Sequence, residues 1–558
     1  MDVVDASQFT LLDYSFFVIV FVISAATGLY YAIKTRKKVT SVDDYLLGGR
    51  TMKLLPVACS LTATSLSATT LVGAPAEIYA YGTHTWMFSF CLAVTAVVTC
   101  YVFLPIFVEL KLTSSFKYFE LRFTRRIRVL ASGLFILTGF LSLASTVYVP
   151  ALTFKQVTGV DVYVTVTVLS LLCSSYTAIG GFRAVVWTDV SQLVLMIGSY
   201  ITVAVVGIQA TGGFINVVES ANRGGRIIIA NTNNLNSRSA LPAYISSITL
   251  TFIYHFGISQ AVFQRYLSLP TLREMRISAW FFCIVGTIFT LMGALLGIII
   301  YANYETCDPH AAGVIEKLDQ IVPHFIQEKA YLFQGFNGIF IAGIFSASLS
   351  TTSSLLNAMS GVIYEDFISQ KLPNLKSSTS NRIMKSLVLF LGIIQIGMIF
   401  LVERMGMILQ ITLQCVALNT AALLTLFILG TMFPKSNGKS AMFGSVTAVV
   451  TIMTLILGSS YKKPEPTLPF RTDGCSNYNS TTVEFGVEEE VPEDVFWIFR
   501  LSYVYFGLVG TLVGVGIGYL TSLICGGSPV KDQRLLATFI RRKLIPEETR
   551  LTTVNNET

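Results

Sequence analysis

Thirteen apolar stretches recur along the chain of 558 residues, and this pattern limits its fold more than any other feature. A helix needs about 20 apolar residues to cross a bilayer. The charged fraction is 13%, against about 25% in soluble domains, so the pattern predicts an all-α protein with about thirteen transmembrane helices. The predicted spans cover residues 14–33, 54–80, 85–108, 129–154, 162–179, 187–210, 241–262, 277–302, 334–362, 386–402, 406–433, 440–459 and 500–524.

The basic residues predict how the spans are oriented. If the amino terminus lies outside, residues 34–53, 111–128, 265–276 and 371–385 and the tail 526–558 all fall on the cytoplasmic side. Cytoplasmic loops of membrane proteins carry an excess of Lys and Arg. We therefore expect a multi-pass protein of the cell membrane with a cytoplasmic carboxyl terminus. The net charge of +7 then reflects topology and gives no reason to expect a nucleic-acid partner.

Two of the nine cysteines fall in loops predicted to lie outside, while the other seven lie in or at the edge of apolar spans. Disulfides form in oxidising compartments, so a disulfide between Cys307 and Cys475 is predicted. Asn479 begins the sequence Asn479-Ser480-Thr481 in the same loop as Cys475. It is a predicted glycosylation site.

Two runs of hydroxyl side chains, residues 60–70 and 346–354, lie inside predicted spans. Hydrocarbon disfavours unpaired polar groups, so these runs suggest a site for a small hard cation. The first run follows Pro56 and precedes Gly73-Ala-Pro75, which predicts a broken helix with free backbone carbonyls. In the second run, Ser350 and Thr351 share a helical face with Ala347. The alternative is that these hydroxyls bond to their own helix or pack a tight interface.

The seventh span carries a milder interruption at Tyr254-His255-Phe256-Gly257. Broken helices in corresponding spans are typical of inverted-repeat transporters. We therefore expect residues 54–210 and 241–433 to form two inverted five-helix repeats, preceded by residues 1–33 and followed by two further spans in 440–524. His255 is interpreted as a core histidine or as a pH-sensitive substrate contact, and Glu403-Arg404 as a solvated or gate-forming pair.

Glycines at positions 510, 514 and 518 of the last span favour close helix contact. They indicate packing inside a monomer or, alternatively, a homodimer interface. Either oligomeric state is compatible with the sequence.

Several motifs in order resemble the sodium:solute symporter family over residues 14–525. Those used most are Leu349-Ser-Thr351, Asn357-Ala-Met359, Glu365-Asp366, Leu71-Val-Gly73-x-Pro75-x-Glu77, Trp187-Thr-Asp189 and Gln264-Arg-Tyr266. Within the family the chain looks closest to the branch that holds the multivitamin, monocarboxylate and iodide carriers. The resemblance implies a leucine-transporter-like core of ten helices, with one span before it and two after.

The resemblance also implies a sodium site. Its ligands would be the backbone carbonyls of Ala63, Leu66 and Ala347 and the hydroxyls of Ser350 and Thr351. Asp189 matches a family acid near the cytoplasmic route of the ion and takes an accessory role, although it could instead be a helix N-terminal acid at the membrane edge. Further hydroxyls are available for a second sodium ion at Ser67, Thr69 and Ser353.

By position in the family, the substrate is expected beside the break of the second span, near Thr70, with Tyr148, Phe252 and Phe256 facing it. Thr70 replaces the histidine of sugar carriers and the glutamine of the iodide carrier, which weakens a sugar as substrate. We expect no Lys or Arg deep in a core span, so bound sodium or helix N-terminal amides would have to attract a carboxylate.

These observations predict a sodium-coupled symporter that imports a monocarboxylate or vitamin-like carboxylate by alternating access, with no organic cofactor. Its partners would be sodium ion, a small solute and the lipid bilayer. A sodium-binding channel, a solute sensor or a carrier of iodide or sugar on the same fold remain alternatives. An enzyme is not expected, because the sequence shows no nucleophile–base arrangement, metal-ligand cluster or phosphate loop.

Overall fold

The structure is a computed structural model that describes residues 9–35, 41–229, 239–404, 408–459, 467–475, 496–527, 530 and 532–544. These residues form helices and loops and no β-strand. The helices of the bundle are α1 (Leu11–Thr35), α2 (Leu54–Ser65), α3 (Ala68–Tyr81), α4 (Thr83–Glu109), α5 (Arg125–Thr158), α6 (Val162–Ala210), α7 (Leu241–Ile258), α8 (Gln260–Leu267), α9 (Leu272–Asn303), α10 (Phe336–Ile368), α11 (Ser377–Glu403), α12 (Leu413–Met432), α13 (Gly438–Ser459) and α14 (Tyr503–Ile524). Shorter helices outside the bundle include Val42–Leu47, Lys117–Arg122, Phe214–Arg223, Ile321–Lys329 and Thr538–Leu544.

The number of membrane crossings agrees with the sequence. Among the described residues, eleven helices are long and apolar enough to cross a bilayer, and the bent pair α2–α3 makes a twelfth span. Helix α6 has 49 residues, which at 1.5 Å per residue is about 73 Å, more than twice the hydrocarbon thickness of about 30 Å. Gly181 divides it with non-helical angles, φ 57° and ψ −158°. Helix α6 therefore supplies two crossings, which gives the thirteen predicted spans.

The second span is broken where the first hydroxyl run predicts it. Helix α2 ends at Ser65, Leu66 is extended at φ −99° and ψ 100°, and α3 begins at Ala68 with a bend of 57°. The hydroxyl of Ser67 caps α3 by accepting a hydrogen bond from the backbone N–H of Thr70 at 3.2 Å. Ser and Thr side chains compete with backbone hydrogen bonding, which favours a helix end here.

The seventh span is interrupted too, two residues after the predicted Gly257. Residues Ile253–Ile258 form a π-helical turn, Ser259 is extended at φ −58° and ψ 149°, and α8 follows at once. The expected second break is thus confirmed. The span continues beyond it to Leu267, five residues past its predicted end.

Helix α10 lies at the centre of the bundle and α1 at its edge. The buried share of the apolar window is 83% for α10 but 18% for α1 and 33% for α13 and α14. Helix α10 packs against α1, α5, α6 and α11. Added Cβ atoms at Gly510, Gly514 and Gly518 would touch residues of α12 or α13 within 3 Å. This glycine stripe therefore packs inside the monomer, and the homodimer interpretation of it is wrong.

One face of the bundle, which we call the disulfide face, carries the predicted bridge between Cys307 and Cys475. The segment that leads to Cys475 lies over the end of α3, since the N–H of Leu468 donates to the carbonyl of Ala80 at 2.9 Å. Buried Arg226 fastens the two together by donating to the carbonyls of Tyr79 at 3.0 Å and Pro469 at 2.9 Å. Asn479 lies outside the described residues.

On the opposite face a short buried helix, Val42–Leu47, closes the bundle, and we call it the plug segment. Tyr45, Leu46 and Leu47 are buried, and the Tyr45 hydroxyl donates to the carbonyls of Thr177 and Ala178 at 3.4 Å. Its ring lies against Gly181, where an added Cβ would meet the ring at 2.8 Å. The break in α6 thus provides the space that the plug segment fills.

Candidate functional site

The two hydroxyl runs meet in the structure. The hydroxyls of Thr64, in the first run, and Ser354, in the second, are 2.8 Å apart. The hydroxyl of Thr351 donates to the backbone carbonyl of Thr64 at 3.3 Å. Helix α10 is therefore fastened to the last turn of α2, directly before the break.

The carboxylate of Asp189 lies between the runs and joins them. Its side chain is 0% exposed, and it accepts hydrogen bonds from Ser60 at 2.5 Å and Ser350 at 2.7 Å. Asp189 lies in the second half of α6, well past the break at Gly181. The interpretation of this residue as a helix N-terminal acid at the membrane edge is wrong, because the carboxylate is enclosed by α2 and α10.

A buried arginine balances this charge. Arg265 on α8 has a side chain 1% exposed, and its Nη2 lies 3.0 Å from Oδ2 of Asp189. The guanidinium also donates to the Ser60 hydroxyl at 2.9 Å, to the carbonyl of Ala261 at 2.9 Å and to the Ser354 hydroxyl. Buried charges are tolerated only when paired and hydrogen-bonded, and this network satisfies both groups.

The expectation that no Arg or Lys lies deep in a core span is therefore wrong. Arg265 is not part of a cytoplasmic loop, because the seventh span resumes as α8 after its break. The missed signal is local: Gln260 to Leu267 contains no turn-forming residue that would end the span.

Of the five predicted sodium ligands, all lie at or beside this contact of α2 with α10. The carbonyl of Ala63 accepts from the N–H of Leu66 at 3.3 Å, and Ala347 is buried on α10. Ser350 and Thr351 each donate their one hydroxyl proton as described above, which leaves oxygen lone pairs free. The carboxyl end of a helix carries partial negative charge and unpaired carbonyls, so α2 ends in a setting that favours a cation.

The chemistry of these donors excludes several other ions. They are hydroxyl and carbonyl oxygens, which suit a hard monovalent cation. The described part of the chain contains no group of three or more His, Cys, Asp or Glu that could hold a metal ion.

A cavity of about 220 Å³ lies beside the first turns of α3, towards the disulfide face. Thr69 and Tyr148 line it and are each 8% exposed. Its far wall is charged and belongs to α11 and the loop before α15-equivalent residues 321–329, with lining residues Glu316, Lys317, Asp319 and Glu403. Glu403 also accepts a hydrogen bond from the Tyr163 hydroxyl. The predicted substrate residue Tyr148 thus faces a small polar cavity beside the break.

The other predicted substrate residues are placed differently. Thr70 does not line this cavity; its hydroxyl lies 3.1 Å from that of Ser67. Phe252 and Phe256 contact each other at 4.9 Å between ring centroids and pack on Phe88 and Phe282. This aromatic group joins α7 to α4 and α9, and the structure does not bring it to the cavity.

His255 and the candidates for a second sodium ion complete the comparison. His255 is exposed, with its ring 4.9 Å from that of Phe256, so its interpretation as a core histidine is wrong. Ser353 donates to the carbonyl of Ser350 at 3.1 Å, within its own helix. Ser67 caps α3, and Thr69 faces the cavity.

Comparisons with known proteins agree with this architecture. The sequence model of the sodium:solute symporter family matches residues 45–448. Sodium-coupled monocarboxylate transporter 2 of Mus musculus is 35% identical, with 93% of this chain and 85% of the relative covered. Sodium-coupled monocarboxylate transporter 1 of Homo sapiens is 34% identical (93% and 88% covered), and the sodium-dependent multivitamin transporter of Oryctolagus cuniculus is 31% identical (93% and 83%). The solved structure of a Na+-coupled sialic acid symporter has a TM-score of 0.76 at 22% identity, covering 93% of this chain and 99% of that one, and so shares the fold.

Proposed function

Because the chain belongs to the sodium:solute symporter family, we propose that it is a sodium-coupled symporter that imports a small monocarboxylate or vitamin-like carboxylate by alternating access. Its relatives are named as transporters, and it is a multi-pass membrane protein rather than an enzyme. The observation that carries the proposal is the meeting of both hydroxyl runs at the broken end of α2.

In this proposal sodium binds where α10 meets α2. Its ligands are the carbonyls of Ala63, Leu66 and Ala347 and the hydroxyls of Ser350 and Thr351. Each sodium ion that enters gains about 2.3 kcal/mol per 100 mV of membrane potential, before its concentration gradient is counted. Sodium adds attraction between α10 and the end of α2, where only one hydroxyl–carbonyl contact and one hydroxyl pair hold them now.

The state closed on the plug-segment face is held by groups around this site. The plug segment fills the space at the break of α6, and the Arg265–Asp189 pair fastens α8 to α6 and α2. Opening towards the plug-segment face would have to separate these contacts. Sodium release would favour that opening, because it removes one attraction between α2 and α10.

The solute would bind beside the break, next to sodium. Monocarboxylate and multivitamin carriers are the relatives that the comparisons name, and both solute classes carry a carboxylate. In support, the hydroxyls of Thr69 and Tyr148 border a cavity at this place. Since Arg265 is committed to Asp189, bound sodium and the N-terminal amides of α3 would attract the carboxylate. Thr70, Phe252 and Phe256 remain sequence predictions as solute contacts.

We further propose the expected topology and setting. Residues 54–210 and 241–433 would be the two inverted repeats, and 526–558 a cytoplasmic tail. The disulfide face would be extracellular, with the protein in the plasma membrane. Sodium ion, the solute and the bilayer would be its partners.

The function is tested by solute accumulation in proteoliposomes that contain the full-length protein. An inward sodium gradient should drive labelled lactate, pyruvate, nicotinate, biotin or pantothenate above its outside concentration, and choline in place of sodium should not. Iodide and glucose are included to test the other carrier functions. A channel would only equilibrate its solute, and a sensor would bind solute without accumulating it; either result contradicts the proposal.

The sodium site is tested by replacing both hydroxyls, Ser350→Ala with Thr351→Ala. The half-saturating sodium concentration should rise at least about tenfold, which corresponds to ~1.4 kcal/mol of lost binding. A matched control is Ser360→Ala with Thr431→Ala, since both are buried and donate only within their own helices. Equal sodium dependence in the two double variants would reject the assigned ligands.

A further inference from the structure

A second cavity opens sideways from the bundle, far from the polar site. It has a volume of about 380 Å³ and lies between α1, α5, α6 and α10. Among the described residues that line it, Thr165 alone is polar, and its hydroxyl already donates to the carbonyl of Asp161 at 3.1 Å. A polar ligand would find no partner in this lateral crevice.

The floor of the crevice is a rigid aromatic group. The ring centroid of Phe17 lies 5.3 Å from that of Phe154 and 5.1 Å from that of Phe345, and the last two are 5.5 Å apart. These rings belong to α1, α5 and α10, so three helices share one apolar surface.

The walls of the crevice are open to the bilayer. Val22 of α1 is 58% exposed, and Val164 and Val168 of α6 are 56% and 55% exposed. Because these residues lie within membrane-spanning helices, the medium outside them is hydrocarbon.

The length of the crevice matches one leaflet. A shallower hollow lined by Tyr163, Thr167 and the same two valines extends it, so that it follows α6 from Tyr163 to Leu172. Nine steps of 1.5 Å give about 14 Å, or half of a hydrocarbon core about 30 Å thick. Tyr163 marks its outer end, as tyrosines often do at membrane interfaces.

We propose that this crevice is a lipid-binding site that holds one acyl chain of a phospholipid from the leaflet on the disulfide face. Lipid tails are as apolar as the lining, so burial from water contributes nothing; filling the void does. An empty crevice would leave the rings and valines without contacts on one side, and a chain restores those dispersion contacts.

The bound chain would touch the helix that carries the second hydroxyl run. Phe345 directly precedes Ser346 on α10, and Ser350 follows one turn later. An occupied crevice would support α10 from the side opposite the α2 contact. The lipid site itself does not depend on the proposed transport function.

The test uses the full-length protein in nanodiscs of phosphatidylcholine with a diazirine on one acyl chain. After illumination, peptides are analysed by mass spectrometry. Labelling of peptides that line the crevice should exceed labelling of the lipid-facing side of α13 by about fivefold, as expected for a site ~1 kcal/mol more favourable than bulk lipid. Uniform labelling around the bundle would overturn the proposal, and so would crevice labelling by a sterol probe with none by the acyl probe.

Substitutions then show whether the crevice itself holds the chain. Val168→Phe should reduce the crevice labelling about fivefold by filling the void. Val194→Phe is the control, because Val194 is also on α6 and 64% exposed but does not line the crevice. Ala25→Phe, on the facing wall of α1, repeats the test if Val168→Phe does not fold. Unchanged labelling in a folded crevice variant would overturn the proposal.

Discussion

Arg265→Met should destabilise the protein far more than removal of an arginine at the surface. Asp189 is wholly enclosed, so loss of Arg265 leaves a buried carboxylate whose charge has no counterpart. Removing one partner of such a pair costs about 3–5 kcal/mol. The reference is Arg223→Met, because Arg223 is 59% exposed in its pair with Glu305, and exposed pairs contribute about 0–1 kcal/mol.

The assay is thermal unfolding of the purified full-length variants in detergent, followed by tryptophan fluorescence. Arg265→Met should lower Tm several times more than Arg223→Met. Asp189→Asn is measured alone and together with Arg265→Met. The double variant should be more stable than Arg265→Met, because no unpaired charge is left inside and Ser60 and Ser350 can donate to the Asn carbonyl.

Two results would refute this reasoning. Equal Tm values for Arg265→Met and Arg223→Met would show that Asp189 is not enclosed as described. Additive losses in the double variant would show that the two groups do not interact. Either result is independent of solute transport, so it tests the geometry of the network alone.

Three further predictions concern the two faces of the bundle. Replacing Cys307 and Cys475 by Ser should cost about 2–4 kcal/mol, seen as a lower Tm, and non-reducing peptide mapping of the unchanged protein should recover the linked pair. Tyr45→Ala should speed hydrogen exchange on the opposite face around the break of α6, whereas unchanged exchange would contradict the role of the plug segment. The hydrogen bond from Arg223 holds the pKa of Glu305 below its ordinary value, so their pairing stabilises the protein at neutral pH and is lost as pH falls through that lowered pKa. The Tm difference between Glu305→Gln and the unchanged protein should therefore vanish below about pH 4.

Much of the fold could be predicted because its causes are local in sequence. Apolar length gives the number of crossings, and the hydroxyl run between Pro56 and Pro75 gives the break of the second span. The pairing of Cys307 with Cys475 followed from their places outside the spans.

The candidate site could be predicted only in part, because hydropathy gives depth in the membrane but not which helices face each other. Thr64 and Ser354 could be expected in one site only because both runs are unusual. The partner of Asp189 was missed because Arg265 stands near a span end, where the boundary was placed too early. Phe252 and Phe256 lie at the expected depth but face α4 and α9, a matter of rotation about the helix axis that no local pattern records.

The bridge on the disulfide face has a consequence for parity. Two cysteines can join only if an even number of crossings separates them, and four helices, α10 to α13, lie between Cys307 and Cys475. An odd count anywhere in that stretch is therefore forbidden by a covalent bond. Eight crossings precede Cys307 and one follows Cys475, so the amino terminus shares the compartment of the bridge and the tail occupies the other. During synthesis the bond can close only after α13 has been inserted, which makes it a chemical record that the path of the chain was completed correctly.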